Sequence, residues 1–373
     1  MSSAPSRGRL LSLIIVLSIF SSLTHCVHWH KIPDDMKSVV TKRYPTGGIS
    51  LRNEYASSVI LHSNLTSEYL DIVRGDAEYQ RVMLSLTRAL ENATVGGQPY
   101  PYEPPYSIGN ARLDRILSNI ENFLGFSFTS ERSKFNADCN PVHNMLSMVS
   151  QGSLQEADMK WGISIPRRTS GWYNWILTAA LRRAGLQNVQ FPALSATVAS
   201  VYAEGFYDEA IIADNEDDPG RFILAINYDK TVLQLSLCQA ATGIIEEVRW
   251  KTYFRNNNTW ETDDLKETGF LGQEIGYIAG PLNRADQRYF DAMGHLDNQP
   301  AQQIVLTGED SSSPDLRRSL ESVFSDHVIQ SLYQNMSSRD PRWSPHSGAL
   351  GPALMVQRIY QEYDHVKKDK DEL

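Results

Sequence analysis

Cysteine is scarce in this sequence: Cys26, Cys139 and Cys238 are the only three in 373 residues. That is too few for a fold built on disulfides, so stability has to come from a packed core. Basic residues are outnumbered, 35 Lys plus Arg against 44 Asp plus Glu, for a formal net charge of -9. A phosphate footprint needs a cationic face and no long basic run occurs, so nucleic acid is not an expected partner. Missing too are a G-x-S-x-G elbow, a P-loop, H-E-x-x-H, C-x-x-C and G-x-G-x-x-G. Their absence removes the commonest hydrolase, nucleotide, zinc, thiol-redox and dinucleotide readings. What remains is the composition of a folded protein, 41% hydrophobic and 10% aromatic, with length for about two domains or lobes.

Both ends carry addresses. Residues 1–26 open with Arg7 and Arg9, continue with an apolar run from Leu10 to Phe20 and close on small or polar residues up to Cys26. This is the pattern of a secretory signal peptide, and the run falls well short of the roughly 20 residues a membrane span needs. No later segment is apolar enough to span. The last four residues, Lys370, Asp371, Glu372 and Leu373, spell a KDEL retention address. With the leader, it predicts residence in the endoplasmic reticulum lumen and binding to the KDEL receptor. Four sequons, at Asn64, Asn92, Asn257 and Asn335, are candidate glycan sites in that compartment.

Three further clusters carry little chemistry. Cys238 falls on an alternating apolar segment and reads as a small buried hydrophobe. Cys139 and His143 stand four apart, but Pro141 lies between them, and a chance pairing is the safer reading. The His28-x-His30 pair offers only two metal ligands on a tail, so no metal site is predicted.

Along the chain, Gly48 to Leu61 reads as strand, turn, strand about an Arg52-Asn53-Glu54 tip. Ser67 to Leu90 reads as helical with a break near Gly75, its stripe passing through Tyr79, Val82, Met83, Leu86 and Leu90. A loop over 95–107 and a helix from Leu113 to Leu124, closed by Gly125, follow. Ile163 to Pro166 forms a short strand, and Thr169 or Ser170 caps a helix through Trp172, Trp175 and Leu181 to Gly185. Trp161, Trp172, Tyr173 and Trp175 read as core packing about that strand and helix. Residues 192–204 read as a helix rich in small side chains, and Asp214 to Gly220 as a solvated acidic loop. A second strand, turn, strand unit comprises Phe222 to Ile226, the tip Asn227-Tyr228-Asp229-Lys230, and Val232 to Cys238. Thr242-Gly243 turns into a strand from Ile244 to Tyr253. The Gly269, Gly272 and Gly276 spacing reads as a flexible surface connection. Ile304 to Leu306 forms a strand, Ser313-Pro314 starts a helix through Leu316 and Phe324, and a last helix runs from about Ser347 to Tyr363. The two hairpins thus open two halves, each a β-meander followed by helices.

That order of elements resembles the actin-like ATPase fold, specifically the nucleotide-binding domain of Hsp70 chaperones. Five segments carry the resemblance. Gly48 to Ala56 is similar to the first phosphate hairpin, GIDLGTTYS, and Ile163 to Pro166 with Ala184-Gly185-Leu186 to the ITVPAYF strand and the helix ending AGL. Leu194 to Gly205 resembles the connecting helix, EPTAAALAYG. Ile226 to Leu237 aligns without a gap to the second phosphate hairpin, FDLGGGTFDVSI, and Leu306 to Pro314 to the adenosine loop, LVGGSTRIP. The likeness covers most of residues 46–360 and is poor between Ser67 and Ser150. It implies an α/β, two-lobed fold with lobe I at 46–205 and lobe II at 206–363. These follow a leader at 1–26 and an N-terminal segment at 27–45, and precede a tail at 364–373.

The departures lie where the chemistry would be. In the family, tip glycines let backbone N–H groups reach the phosphates. Here the tips are Arg52-Asn53-Glu54 and Asp229-Lys230-Thr231, and the magnesium-holding aspartates are matched by Ser50 and Asn227, neither anionic. Glu54 and Asp229 would repel a phosphate at about 4 Å by roughly 1 kcal/mol in water and about 4 near a protein surface. Arg52 and Lys230 are the counterweight, able to grip a phosphate as side-chain charges. After Tyr363 the chain has only Asp364 to Lys370 before the tail, so the family's peptide-gripping β-sandwich is not expected. The resemblance therefore implies a lumenal pseudo-ATPase that binds a protein partner, a chaperone or a lumenal enzyme, with no cofactor expected beyond weak ATP contact. Arg52, Asn53, Glu54, Asn227, Asp229, Lys230 and Gly308 would line its degenerate cleft, and no residue is assigned a catalytic role. The alternative is a cleft still used for ATP or another small molecule, or for an accessory enzymatic step in a lumenal pathway.

Overall fold

Residues Thr46–Leu51 (β1) and Tyr55–Leu61 (β2) are buried at every position, as β-rich sequence covered on both faces must be. They pair antiparallel from Thr46 opposite Leu61 to Leu51 opposite Ala56, and the Arg52 N–H donates to the Tyr55 carbonyl at 2.8 Å to close the hairpin. The computed structural model describes residues 45–93, 130–150, 159–166, 171–186, 193–206, 221–241, 244–256, 259–260, 269–280, 301 and 303–371. By contact the chain divides into Met1–Lys42 and Arg43–Leu373, and every described residue lies in the second unit.

Around that hairpin, Ser67–Tyr69 (β3) and Val73–Arg74 (β4) both pair antiparallel with β2. The helix expected from Ser67 therefore starts later, as Ala77–Ala93 (α1). The reason is local: Asp76 accepts the Tyr79 N–H at 2.7 Å through its carboxylate, fixing the helix start after Gly75. The predicted stripe Tyr79, Val82, Met83 and Leu86 is buried.

Ser130–Ser150 (α2) then leads to Lys160–Ile165 (β5), which runs parallel to β1. Gly171–Arg183 (α3) ends at Gly185, whose φ of 77° needs a residue without Cβ. Leu194–Ser195 (β6) pairs parallel with β5, and Ser195 caps Ala196–Ala203 (α4), so Leu194 and Ser195, expected within a 192–204 helix, are strand and cap.

The second sheet repeats the plan. Arg221–Tyr228 (β7), Val232–Ala241 (β8) and Ile244–Asn256 (β9) form an antiparallel meander, extended by Thr259–Trp260 (β10) on β9. Asn227 and Tyr228 belong to β7, so the tip is shorter than expected, Asp229 to Thr231. Phe270–Ala279 (α5) follows. The expected flexible glycine connection is instead this helix, with Gly269 as its N-cap and Gly272 packed where a Cβ would lie 2.5 Å from Ser322 Oγ. Gln303–Thr307 (β11) runs parallel to β7. Ser313 caps Pro314–Glu321 (α6), accepting the Leu316 N–H at 3.2 Å. Asp326–Ser338 (α7) and Trp343–Asp371 (α8) complete the chain, the last much longer than the expected Ser347 to Tyr363.

The six-stranded sheet has the order β3-β2-β1-β5-β6 with β4 beside β2, and the five-stranded one β10-β9-β8-β7-β11. In each, the first strand of a meander is flanked on its free side by a parallel strand from later in the chain. The expected mixed α/β organisation with a duplicated meander is present, with eight helices among the described residues. One core packs α1, α2 and α3 on the first sheet, and another packs α5, α6 and α7 on the second. Fully burying a Leu, Ile or Met side chain stabilises by about 1.5–3 kcal/mol, so these cores rather than thiols hold the fold. Cys139 and Cys238 are free and buried, their thiols pushed up by burial. Cys139 donates weakly to the Ile176 carbonyl, whereas His143 meets Ser147, so the two form no joint site.

Helix α8 crosses back onto the first sheet and lies against β1, β2, β5 and α4. Glycines on the strands permit this: a Cβ on Gly48 would come within 1.8 Å of the Ala349 carbonyl oxygen, and one on Gly162 within 2.4 Å of that of Pro352. Among the described residues no helix is long and apolar enough to cross a membrane.

The leader, His28 and His30, the 95–107 loop and the Leu113–Gly125 helix lie outside the described residues. So do Thr169, Ser170, the acidic loop, Thr242, Gly243, Asn257, Glu372, Leu373 and the side chains of Leu90, Trp172, Tyr173 and Trp175. Trp161 is in the core as expected.

Candidate functional site

The two hairpin tips meet. Glu54, on the β1–β2 turn, accepts the backbone N–H of Thr231 on the β7–β8 turn at 2.6 Å through Oε1. Beside it the Tyr55 hydroxyl donates to Asp229 Oδ1 at 3.3 Å. A third tie comes from Arg74 on β4, which grips Glu309 in the loop after β11 through two contacts of 2.5 and 2.6 Å. Arg74 also lies over the Tyr55 ring, 5.6 Å from its centre. A fourth runs from β8 to β5, where Gln234 donates to the Pro166 carbonyl at 2.5 Å.

Burial makes these contacts consequential. Arg52 is 1% exposed, Asp229 2% and Glu54 7%. Burial raises the Glu54 carboxyl above its ordinary range; the charges of Asp229 and Glu309 add to the rise, and the Thr231 contact offsets part of it. Tyr55 is held well above its usual value, first by burial and then by the Asp229 charge. Asp229 is the hub: besides Tyr55 it accepts from Asn227 Nδ2 at 3.2 Å and from the Glu309 N–H at 3.1 Å. Asn227 in turn donates to Gln234 Oε1 at 3.0 Å.

Arg52 is the exception. Its Nε, Nη1 and Nη2 have no hydrogen-bond partner among the described residues. Each buried donor left unmade costs about 1–3 kcal/mol, so this is the least satisfied point of the site.

Behind the tips runs a seam of buried hydroxyls. Ser164 donates to the Gly348 carbonyl at 2.6 Å and lies 2.9 Å from the Ser50 hydroxyl, which can donate to it. Ser200 on α4 lies 3.3 Å from both Thr307 on β11 and Ser347 on α8. Small hydroxyls here let α4 and α8 approach both sheets while every oxygen finds a neighbour.

Of the seven residues expected to line the cleft, Arg52, Glu54, Asn227 and Asp229 come together. Asn53 turns away, its carbonyl receiving the Thr87 hydroxyl of α1 at 2.9 Å. Lys230 is exposed. Gly308, with φ 97°, packs against the end of β7, where a Cβ would lie 2.3 Å from the Tyr228 carbonyl oxygen. Sequence reading did not single out Tyr55, Arg74, Glu309 or Gln234. Arg74 and Glu309 are 235 residues apart and no local pattern links them; Tyr55, directly after the tip, was the one with a positional signal. No group of His, Cys, Asp and Glu able to hold a metal ion occurs among the described residues.

No protein-family model matches the chain, and no curated protein matches its sequence.

Proposed function

We propose that this chain is an actin-like, Hsp70-related pseudo-ATPase of the endoplasmic reticulum lumen that acts by binding a protein partner, a chaperone or an enzyme of that compartment. The observation that carries this reading is the direct contact of the two hairpin tips through Glu54 and Thr231. In the fold the sequence resembles, those tips stand on either side of the nucleotide phosphates. The residues here do not fit a magnesium nucleotide: buried Glu54 and Asp229 would face its phosphates, and Ser50 and Asn227 supply no carboxylate for the metal. The antiparallel meander with a parallel strand on its free side, present in both sheets, supports the two-lobed part of the reading. The leader and the terminal KDEL support the compartment.

A partner-binding role without nucleotide turnover makes a definite demand: capture must not depend on ATP. Affinity capture from lumenal extract, with and without magnesium-ATP, followed by reconstitution with each purified candidate, tests it. The expected result is a stoichiometric complex of equal affinity in both conditions. Release on adding ATP would overturn the reading.

A further inference from the structure

The first turns of α8 join the two sheets. Ser344 donates to the Gly308 carbonyl after β11 at 2.9 Å, the Pro345 carbonyl accepts from Ser57 on β2 at 3.0 Å, and Ser347 lies 3.3 Å from Ser200 on α4. Among them stands His346, 2% exposed, with both ring nitrogens against backbone oxygens. Nδ1 lies 2.7 Å from the Arg342 carbonyl oxygen. Nε2 lies 2.6 Å from that of Leu70, on the link between β3 and β4 and 276 residues away in the chain. A neutral imidazole has one N–H and one lone pair, whereas a carbonyl oxygen only accepts. At these distances a lone pair facing a carbonyl repels it, so both contacts are hydrogen bonds only when each ring nitrogen carries a proton.

The surrounding charges allow a cation here. Arg342 is gripped by Asp340 at 2.7 Å, and the Asp340 carboxyl is held down to about 2, first by that contact and in smaller part by His346. On β3 the Tyr69 ring lies 5.3 Å from the imidazole and takes the Arg342 guanidinium at 5.4 Å. Glu68 of β3 is turned to His62, and Asp71, next to Leu70, is exposed. We propose that His346 is a proton-operated clamp on the joint between the sheets. Doubly protonated, it fixes the start of α8 both to the preceding turn and to the β3–β4 link. With one proton gone, one of the two contacts turns repulsive and the joint slackens. An imidazole in water exchanges its second proton near pH 6.5, so the clamp works across the mildly acidic to neutral range. The folded arrangement favours the protonated ring, so the clamp's contribution is full below about pH 6.5 and is lost as pH rises beyond it.

Urea unfolding of the full chain, wild type beside His346→Gln, in steps between mildly acidic and mildly alkaline pH tests the clamp. Glutamine offers a donor toward Leu70 but no titrating proton, and every other titrating group is common to both chains. The ratio of wild-type to variant folding constants is expected to be on the order of tenfold larger at the acidic end, the worth of one hydrogen bond to a charged group. A ratio independent of pH, or one that grows as pH rises, means a ring buried neutral and overturns the clamp. If the variant does not fold, nuclear magnetic resonance of the wild type decides. The imidazole in contact with the Tyr69 ring should show two slowly exchanging N–H protons at mildly acidic pH; a single one overturns the proposal. Hydrogen exchange, corrected for its intrinsic rate, reads the joint itself. Amides of residues 343–347 should lose protection as pH rises in wild type and not in His346→Gln; an equal change in both chains overturns the role at the joint.

Discussion

Glu54 Oε1 sits 2.6 Å from the backbone nitrogen of Thr231, 177 residues later in the chain, and closes the gap between two similar sheets. A glutamate does here, by reaching across, what glycine tips cannot do. It costs a buried negative charge beside Asp229 and Glu309, which is why its carboxyl is raised.

That cost predicts a pH dependence. A carboxyl raised in the folded state favours folding most below its unfolded value near 4.5, and that contribution is lost as pH rises through the folded value. Glu54→Gln keeps an acceptor for the Thr231 N–H and removes the charge. It should therefore melt higher than wild type at pH 7, with the gap closing as pH falls toward 4.5. A lower melting temperature at pH 7 would show that the charge itself holds the contact.

Gly48 gives a second prediction. With the Ala349 carbonyl oxygen 1.8 Å from where a Cβ would stand, Gly48→Ala has to displace the α8 backbone. Overpacking of this kind costs typically 1–3 kcal/mol and sometimes more. Denaturant unfolding should show a loss of on the order of 3 kcal/mol; a neutral substitution would contradict the close crossing.

The sequons separate by conformation. Asn64 lies in an exposed turn, its Oδ1 accepting the Thr66 N–H at 3.0 Å and the Thr66 hydroxyl at 2.6 Å. Asn92 and Asn335 lie within α1 and α7. In chain secreted through the endoplasmic reticulum, Asn64→Gln should remove one step of the glycosidase-sensitive mobility shift. An unchanged shift would contradict use of that turn.

The hairpins were legible because a strand buried on both faces writes itself as continuous β-rich sequence, broken only at the polar tip. Ser313-Pro314 was legible for an equally local reason, a cap followed by a fixed φ. Segments decided by distant partners were not. Ser67–Tyr69 pairs with β2 although its sequence suits a helix, and Gly272 lies in a helix at a place where Ser322 of a later segment packs into the space of a side chain. The same limit applies to the site. Arg52 and Asp229 were visible as side chains standing where glycines were expected, and Glu54 as a charge beside them on the first tip, but what they touch depends on Thr231, Tyr55, Arg74 and Glu309, brought together only by the fold.

Isothermal titration calorimetry of the purified full chain with magnesium-ATP tests closure of the tips most directly. The closed contact predicts no saturable heat up to millimolar nucleotide, unchanged by Arg74→Ala, which removes only the outer tie. Stoichiometric binding at micromolar concentration, accompanied by release of phosphate, would contradict it.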